Sequence, residues 1–277
     1  IPAEALAKLD TGKAPRSSYL SSDASKIQVF VLFGLDGVDS SDSVMLVALD
    51  RVHQKIKLIS LARDSYVFIP EFASFSKLAY SYTWGGAAMA VKNLNYNYYL
   101  NVSDYIAVDF DQLAQIIDRI GGVTVNIDED EARYLSNYPN VHVGDCLLDG
   151  ETAVSYARIR KSSATDSDRK RTGRQREVIL SILNTLQTMP LSQYPGFVRD
   201  CLGMCATSFE AETLLTMAAE TLGQNYTVEQ YFFPEGQVDW WAGLIKEYFY
   251  YVYDLRRASD RIYRIIYEEL YISGYDD

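Results

Sequence analysis

Ile27-Gln-Val-Phe-Val-Leu-Phe33, closed by Gly34, is the stretch on which the fold turns. Its apolar side chains follow one another almost without a break, as in a strand covered on both faces. Ser43-Val-Met-Leu-Val-Ala-Leu49 and Lys55-Ile-Lys-Leu-Ile-Ser-Leu61 repeat the pattern, separated only by the polar turn Asp50 to Gln54. So short a link joins antiparallel neighbours. Between the first two strands lies Gly34-Leu-Asp-Gly-Val-Asp-Ser-Ser-Asp42, a glycine- and acid-rich loop at a strand's carboxyl end. Ligands of open α/β sheets gather at such ends.

Working outward, Gly85 to Tyr96 predicts a helix, Tyr105 to Asp109 a strand, and Phe110 to Ile120 an amphipathic helix stopped by Gly121-Gly122. Val123 to Ile127 is a further strand, and Asp149 caps a short helix running to Arg158. A polar loop, Lys161 to Ser167, leads to a long helix from Arg169 to Thr188. This alternation predicts an α/β fold over residues 27–190: a layered α-β-α domain whose central mixed sheet is flanked by helices. Residues 1–26 read as a polar linker. Beyond Pro190, Glu210 to Gly223 reads as helix, Thr227 to Phe233 as strand and Trp240 to Tyr271 as aromatic-rich helix. Residues 191–277 are therefore expected as a mostly helical extension.

Charge narrows the function classes. Tyr156 to Arg176 holds eight Lys/Arg against Asp166 and Asp168, so this window carries +6. That leaves −17 on the rest of a chain whose net charge is −11. A general nucleic-acid binder needs a broad basic face, and that composition excludes one. A basic island in an acidic chain suits a local anionic ligand. The three cysteines, Cys146, Cys201 and Cys205, cannot all pair with one another, and two histidines are too few for zinc-finger spacing. No apolar run reaches the roughly 18 residues of a membrane span. The start at Ile1 and the polar linker behind it suggest that an N-terminal membrane anchor stands upstream in the full protein.

Within the basic island, Arg158 and Arg160 follow a short helix, while Arg171, Arg174 and Gln175 lie at i, i+3 and i+4 on the next. Arg171 and Gln175 thus share a helical face with Arg174 close by. Guanidinium groups present planar donor forks to phosphate oxygens and stay charged at any working pH. A multiply charged anion such as a diphosphate suits the arrangement; a solvated basic helix face is the alternative. Asp36 and Asp42 bracket the first loop, with Asp39 between them. Their carboxylates suit a hard cation shared with phosphate, and an ordinary Asx-rich turn is the plainer alternative. Arg63-Asp64 follows the third strand directly; a structural ion pair is its plainer reading, and antiparallel pairing would bring it to the same sheet end as Asp36 and Asp42. No nucleophile elbow, Cys–His arrangement or phosphate-binding glycine loop is present. His53 and His142 read as surface residues, and Tyr248 to Tyr253 as one face of a core-packed aromatic helix.

These pieces belong to an ordered series. It runs through Gly34-x-Asp36, Ser41-Asp42-Ser43, Ala62-Arg63-Asp64-Ser-Tyr66, Ser76-Lys77-Leu78 and Tyr105-x-x-Val-Asp-Phe110. It continues with Gly121-Gly122-Val123-x-Val125, Leu148-Asp-Gly-Glu-x-Ala153, Tyr156-Ala-Arg-x-Arg160 and Asp168-x-x-Arg171-x-x-Arg174-Gln175. In these motifs the sequence resembles the LytR-CpsA-Psr family of bacterial cell-wall glycopolymer phosphotransferases, over about Ile27 to Thr188. The resemblance implies a polyprenyl-pyrophosphate-linked glycan as donor, with its tail in an apolar lipid tunnel between sheet and helices, and peptidoglycan as acceptor. It implies that Arg63, Arg158, Arg160, Arg171 and Gln175 grip the diphosphate, with Arg174 and Lys77 beside them. Asp36 and Asp42 would hold Mg²⁺, or Mn²⁺ in its place, and Asp64 joins the arginines as a catalytic candidate. The implied place is the extracellular face of a Gram-positive membrane, reached through the N-terminal anchor. Many members carry a longer Asp36-to-Asp42 loop with an arginine before the Ser-Asp pair; here Val38-Asp39-Ser40-Ser41 holds no basic residue.

Overall fold

The computed structural model describes residues 2–9, 18–37, 40–160, 164–222, 226–234 and 238–274. In chain order, α1 (Ala3–Leu9) and β1 (Tyr19–Leu20) precede β2 (Ile27–Leu35), β3 (Ser41–Asp50) and β4 (Lys55–Leu61). Then come β5 (Tyr66–Ile69), β6 (Ser74–Lys77), α2 (Tyr80–Tyr98), β7 (Asp104–Asp109) and α3 (Phe110–Arg119). β8 (Val123–Ile127), α4 (Glu129–Tyr134), β9 (Gly144–Leu148), α5 (Gly150–Ala157), α6 (Ala164–Thr188) and α7 (Tyr194–Met204) follow. The chain closes with β10 (Ala206–Thr207), α8 (Ala211–Leu222), β11 (Thr227–Phe233), β12 (Trp240–Ile245), β13 (Tyr248–Tyr253), α9 (Leu255–Tyr267) and β14 (Tyr271–Ile272). The protein is α/β, and the chain divides into two compact units, residues 1–105 with 227–277, and residues 106–226.

The first unit is built on a mixed sheet. β2 and β3 pair antiparallel, β3 and β4 do the same, and β11 joins β4 in parallel. Helices α2 and α9 pack against its strands. Val31, Phe33, Met45, Leu46, Leu58 and Ile59 are wholly or almost wholly buried, as continuous apolar runs require. Each such side chain contributes about 1.5–3 kcal/mol on leaving water.

Two expectations need correction in this unit. Trp240 to Tyr253 forms no helix: β12 and β13 make an antiparallel hairpin with Ile245 opposite Tyr248, and only α9 is helical. Aromatic residues favour a pleated surface, and Lys246 takes the positive φ of 57° that a two-residue hairpin turn uses. The stretch 1–26 is more than a linker. Ala5 on α1 is fully buried in a cluster with Tyr66, Ile245, Tyr250 and Val252, an alanine-rich helix docked on the hairpin.

The second unit packs α3, α5 and α6 around the β8–β9 pair. Its core includes Ile117, Val123, Val125, Leu148, Tyr156 and Val178. Asp109 and Asp128 each form a capping box, and Asp149 caps α5 by accepting from the Thr152 amide, as expected. A Cβ on Gly150 would lie 2.1 Å from the Ala114 carbonyl, so only glycine lets α5 begin this close to α3. The long helix α6 starts earlier than its pattern suggested, at Ala164; residues 161–163 of the expected loop lie outside the described residues.

Candidate functional site

In the first unit the register explains how the site residues meet. β3 and β4 pair Val44 with Leu61, so continuing two residues further sets Asp42 opposite Arg63. The two form an ion pair there. β2 and β3 pair Gly34 with Ser43 but Leu35 with Ser41, which leaves Asp42 as the extra residue of a β-bulge. Bulges re-aim a side chain at a sheet edge, and this one delivers the Asp42 carboxylate. Asp36 follows β2 directly; its Oδ1 accepts from the Ser40 amide at 3.1 Å. Asp39 lies outside the described residues.

Segment Ala62 to Ser65 is sewn in place from three sides. The Ala62 amide donates to the Phe233 carbonyl, the Tyr251 amide to that of Asp64, and the Leu78 and Ala79 amides to those of Ser65 and Arg63. Beneath it, buried hydroxyls link Ser65 to Tyr253 at 2.8 Å and Tyr253 to Tyr98 at 2.6 Å. Burial pushes the Tyr98 phenol up to about 12, so this relay is neutral scaffolding rather than a proton store. The Asp64 carboxylate takes Lys77 at 2.7 Å and lies 3.9 Å from Arg63. Lys77 also sits over the Tyr250 ring, 5.7 Å from its centroid. Asp36, Asp42, Arg63 and Asp64 therefore occupy one end of the sheet, as antiparallel pairing implied, and the ion pair with Asp64 brings Lys77 of β6 to them.

The second unit holds the basic island. Arg158 caps the end of α5 and is exposed, its guanidinium 4.5 Å from the Phe110 ring centroid. Arg160 is exposed too. On α6, Arg171, Arg174, Val178 and Ser181 are buried on one stripe, so the basic face is not simply solvated. The Gln175 Oε1 is buried without a hydrogen-bond partner among the described residues. Arg174 departs from its expected part in gripping phosphate. Its guanidinium donates to Glu131 at 2.7 Å and to the Ile159 carbonyl at 3.1 Å, so it ties α4, α6 and the end of α5 together. The side chain of Asp168 lies outside those described.

The sequence did not reveal the Ser65–Tyr253–Tyr98 relay or the Glu131 partner, because their members lie far apart in the chain. It also missed the surroundings of His53, which is largely enclosed rather than on the surface. Its ring lies 2.6 Å from Asp50 and 2.9 Å from Glu269. Asp50, His53 and Glu268 come within 4.8 Å of one another, as a metal site would demand. The Lys57 ammonium already stands 2.7 Å from Asp50 and 2.9 Å from Glu268, so a cation of the protein's own fills that role.

Comparison with known proteins bears on this geometry. A profile of the LytR_cpsA_psr family matches residues 5–263. The chain belongs to that family. The match reaches well past Thr188, so the C-terminal β12–β13 hairpin and most of α9 lie within the LytR_cpsA_psr region rather than outside it. A relative from Oceanobacillus iheyensis is a polyisoprenyl-teichoic acid–peptidoglycan teichoic acid transferase, TagU. It is 29% identical over 230 residues, spanning 79% of this chain and 69% of that one. The crystal structure of B. subtilis TagT superposes with a TM-score of 0.71 at 19% identity, covering 89% of this chain and 96% of that one. A LytR-CPS2A-psr protein, YwtF (TagT), with bound octaprenyl pyrophosphate lipid, gives a TM-score of 0.67 at 18% identity over 95% and 97% of the two chains. At such identities the likeness establishes the LytR_cpsA_psr fold.

Proposed function

We propose that this protein transfers a phosphoryl-linked glycopolymer from a polyprenyl-pyrophosphate carrier to peptidoglycan. The observation that carries the reading is the sheet end of the first unit, where a bulge delivers Asp42 to Arg63 and Asp64 holds Lys77. Two cations fixed against carboxylates on a rigid strand end form a preorganised seat for anionic oxygens. The exposed Arg158 and Arg160 after α5, and Arg171 and Gln175 on α6, offer the same class of donors in the second unit. The transferase activity named for the TagU relative and the lipid diphosphate in the YwtF structure support the ligand class. By the same likeness, an apolar tunnel takes the donor's tail and the protein works at the outer face of a Gram-positive membrane.

In the proposed reaction, a peptidoglycan hydroxyl attacks the glycan-side phosphorus in line. The new phosphoester bond forms as the bond to polyprenyl phosphate breaks; the leaving phosphate carries the charge, and the hydroxyl's proton is released to solvent. Arg63 and Lys77 stabilise that charge, and Asp64 keeps Lys77 oriented. Little covalent chemistry falls to the protein in such transfers, so positioning and electrostatics dominate. Asp36 and Asp42 fit a hard divalent cation such as Mg²⁺: both offer carboxylate oxygens from adjacent strand ends, and the bulge frees Asp42 from the regular strand register. When bound, the ion would neutralise diphosphate oxygens.

Arg158→Ala tests the reading, since its exposed side chain can be removed without opening the core. The variant should lose about 2–4 kcal/mol of transition-state stabilisation in transfer from a lipid-linked sugar to peptidoglycan oligomers. Transfer at the wild-type rate would refute the assignment.

A further inference from the structure

Beside the Lys77 site the surface turns aromatic. Phe72, Phe75 and Trp84 are 54%, 44% and 45% exposed, a large outlay of apolar rings on a water-facing surface. They are not scattered. Trp84 meets Phe72 edge-on at 4.9 Å between centroids and Tyr80 at 5.3 Å, while Phe75 stacks on Tyr66 at 4.9 Å and 12°. Phe75 and Lys77 are two residues apart on β6, so their side chains leave the same face of the hairpin. Phe75 thus continues the face that carries the ammonium, and the chain flanks it with the second ring group, Phe72 three residues before Phe75 and Tyr80 three residues after Lys77.

The platform is stiff and specifically built. The Asn97 side chain accepts from the Phe68 amide at 2.9 Å and donates to the Phe68 carbonyl at 2.8 Å, fastening α2 to β5. Directly after Trp84, α2 breaks: Gly85 has φ −152° and ψ 19°, and Gly86 has φ 64° and ψ −162°, a conformation essentially confined to glycine. A Cβ on Gly85 would lie 2.5 Å from that of Met89. The chain therefore interrupts a helix where Trp84 meets Phe72.

The charges at its border decide what such a platform takes. Glu71 and Lys92 pair with each other at 2.7 Å, and Lys77 pairs with Asp64. No basic flank among the described residues draws the rings to an anionic bilayer, and the chain's net charge of −11 opposes one. An uncharged ligand with flat apolar faces and hydroxylated edges fits better. Pyranose rings are such ligands, because their axial C–H groups meet the negative faces of aromatic rings.

We propose that Phe72, Phe75, Tyr80 and Trp84 form a subsite for the acceptor glycan, an N-acetylated amino-sugar strand whose pyranose faces stack there while a neighbouring sugar extends toward Lys77. The proposal rests on the transferase reading above, but it makes a separate claim about binding. The test titrates wild-type protein, Trp84→Ala and Trp84→Phe calorimetrically with a β-1,4-linked N-acetylglucosamine tetramer, with no donor present. The tetramer should bind the wild type, bind Trp84→Ala at least tenfold more weakly, and bind Trp84→Phe within threefold of wild type. Affinity for the lipid-linked donor should stay within twofold in both variants. Equal tetramer affinity in wild type and Trp84→Ala, or no binding to either, overturns the subsite. So does a parallel loss of donor affinity, which would give the rings to the lipid tail. Trp84-dependent binding to phosphatidylglycerol vesicles without tetramer binding would give them to a membrane and overturns it equally. Failure of the transferase reading shows instead as wild-type protein that binds donor and tetramer but transfers nothing.

Discussion

Arg158 and Arg174 belong to one basic window, yet their surroundings set them different tasks. Arg158 is exposed on a helix end, whereas Arg174 is 4% exposed and its guanidinium is spent on Glu131 and the Ile159 carbonyl. Glu131 is doubly engaged, since its other carboxylate oxygen accepts from the Asp128 amide at 3.0 Å. Removing one partner of a buried ion pair leaves an uncompensated charge. Arg174→Ala should therefore cost about 3–5 kcal/mol in urea unfolding. Arg158→Ala should stay within about 0.5 kcal/mol in the same measurement while losing transfer activity. Helical spacing made the cluster legible in the sequence. It could not separate these two arginines, because Glu131 lies 43 residues from Arg174 and no local pattern links them.

Among the elements, strands β2 to β4 were readable from apolar runs and a short polar turn, and their register alone puts Asp42 across from Arg63. The β12–β13 hairpin was not. Its turn, Lys246-Glu247, lacks the Asn-Gly or Asp-Gly signature, and its dense aromatic run fits a buried helix as readily as a strand. The break in α2 was likewise hidden, since Gly85-Gly86 reads equally as a helix start. Gly86→Ala meets no neighbour within 4 Å, so its cost is backbone strain alone, about 1–3 kcal/mol. Gly196→Ala in α7, also without neighbours within 4 Å and without a positive φ, should instead be neutral or stabilise by up to about 1 kcal/mol. Paired chemical-denaturation curves of the two variants distinguish strain from loss of glycine as such.

At the scale of the molecule, the network around Lys57 sets a pH window for stability. Burial raises the Asp50 and Glu268 carboxyls, but hydrogen bonds from Lys57, joined by His53 at Asp50 and Lys55 at Glu268, outweigh it and leave both below their ordinary values of 3.8 and 4.5. Their contribution is present above those values and is lost as pH falls through the lower folded ones. Burial works against charge on His53, yet its hydrogen bonds to Asp50 and Glu269 leave it above 6.5. That contribution is complete below 6.5 and fades as pH rises through the raised value. The melting temperature should thus be highest between about pH 5 and 6, and His53→Gln should flatten the decline on the alkaline side, read by calorimetry across pH. The division of the chain into units has a consequence in time as well as in space. Residues 106–226 form a compact unit from one uninterrupted stretch, whereas the unit bearing Arg63 needs residues from both sides of it. During synthesis the ribosome releases β2 to β4 early, but β11 and β13, whose backbones pin Ala62 and Asp64, emerge after that whole stretch. The seat around Arg63 is therefore completed only near the end of translation, after the basic helix already has its core.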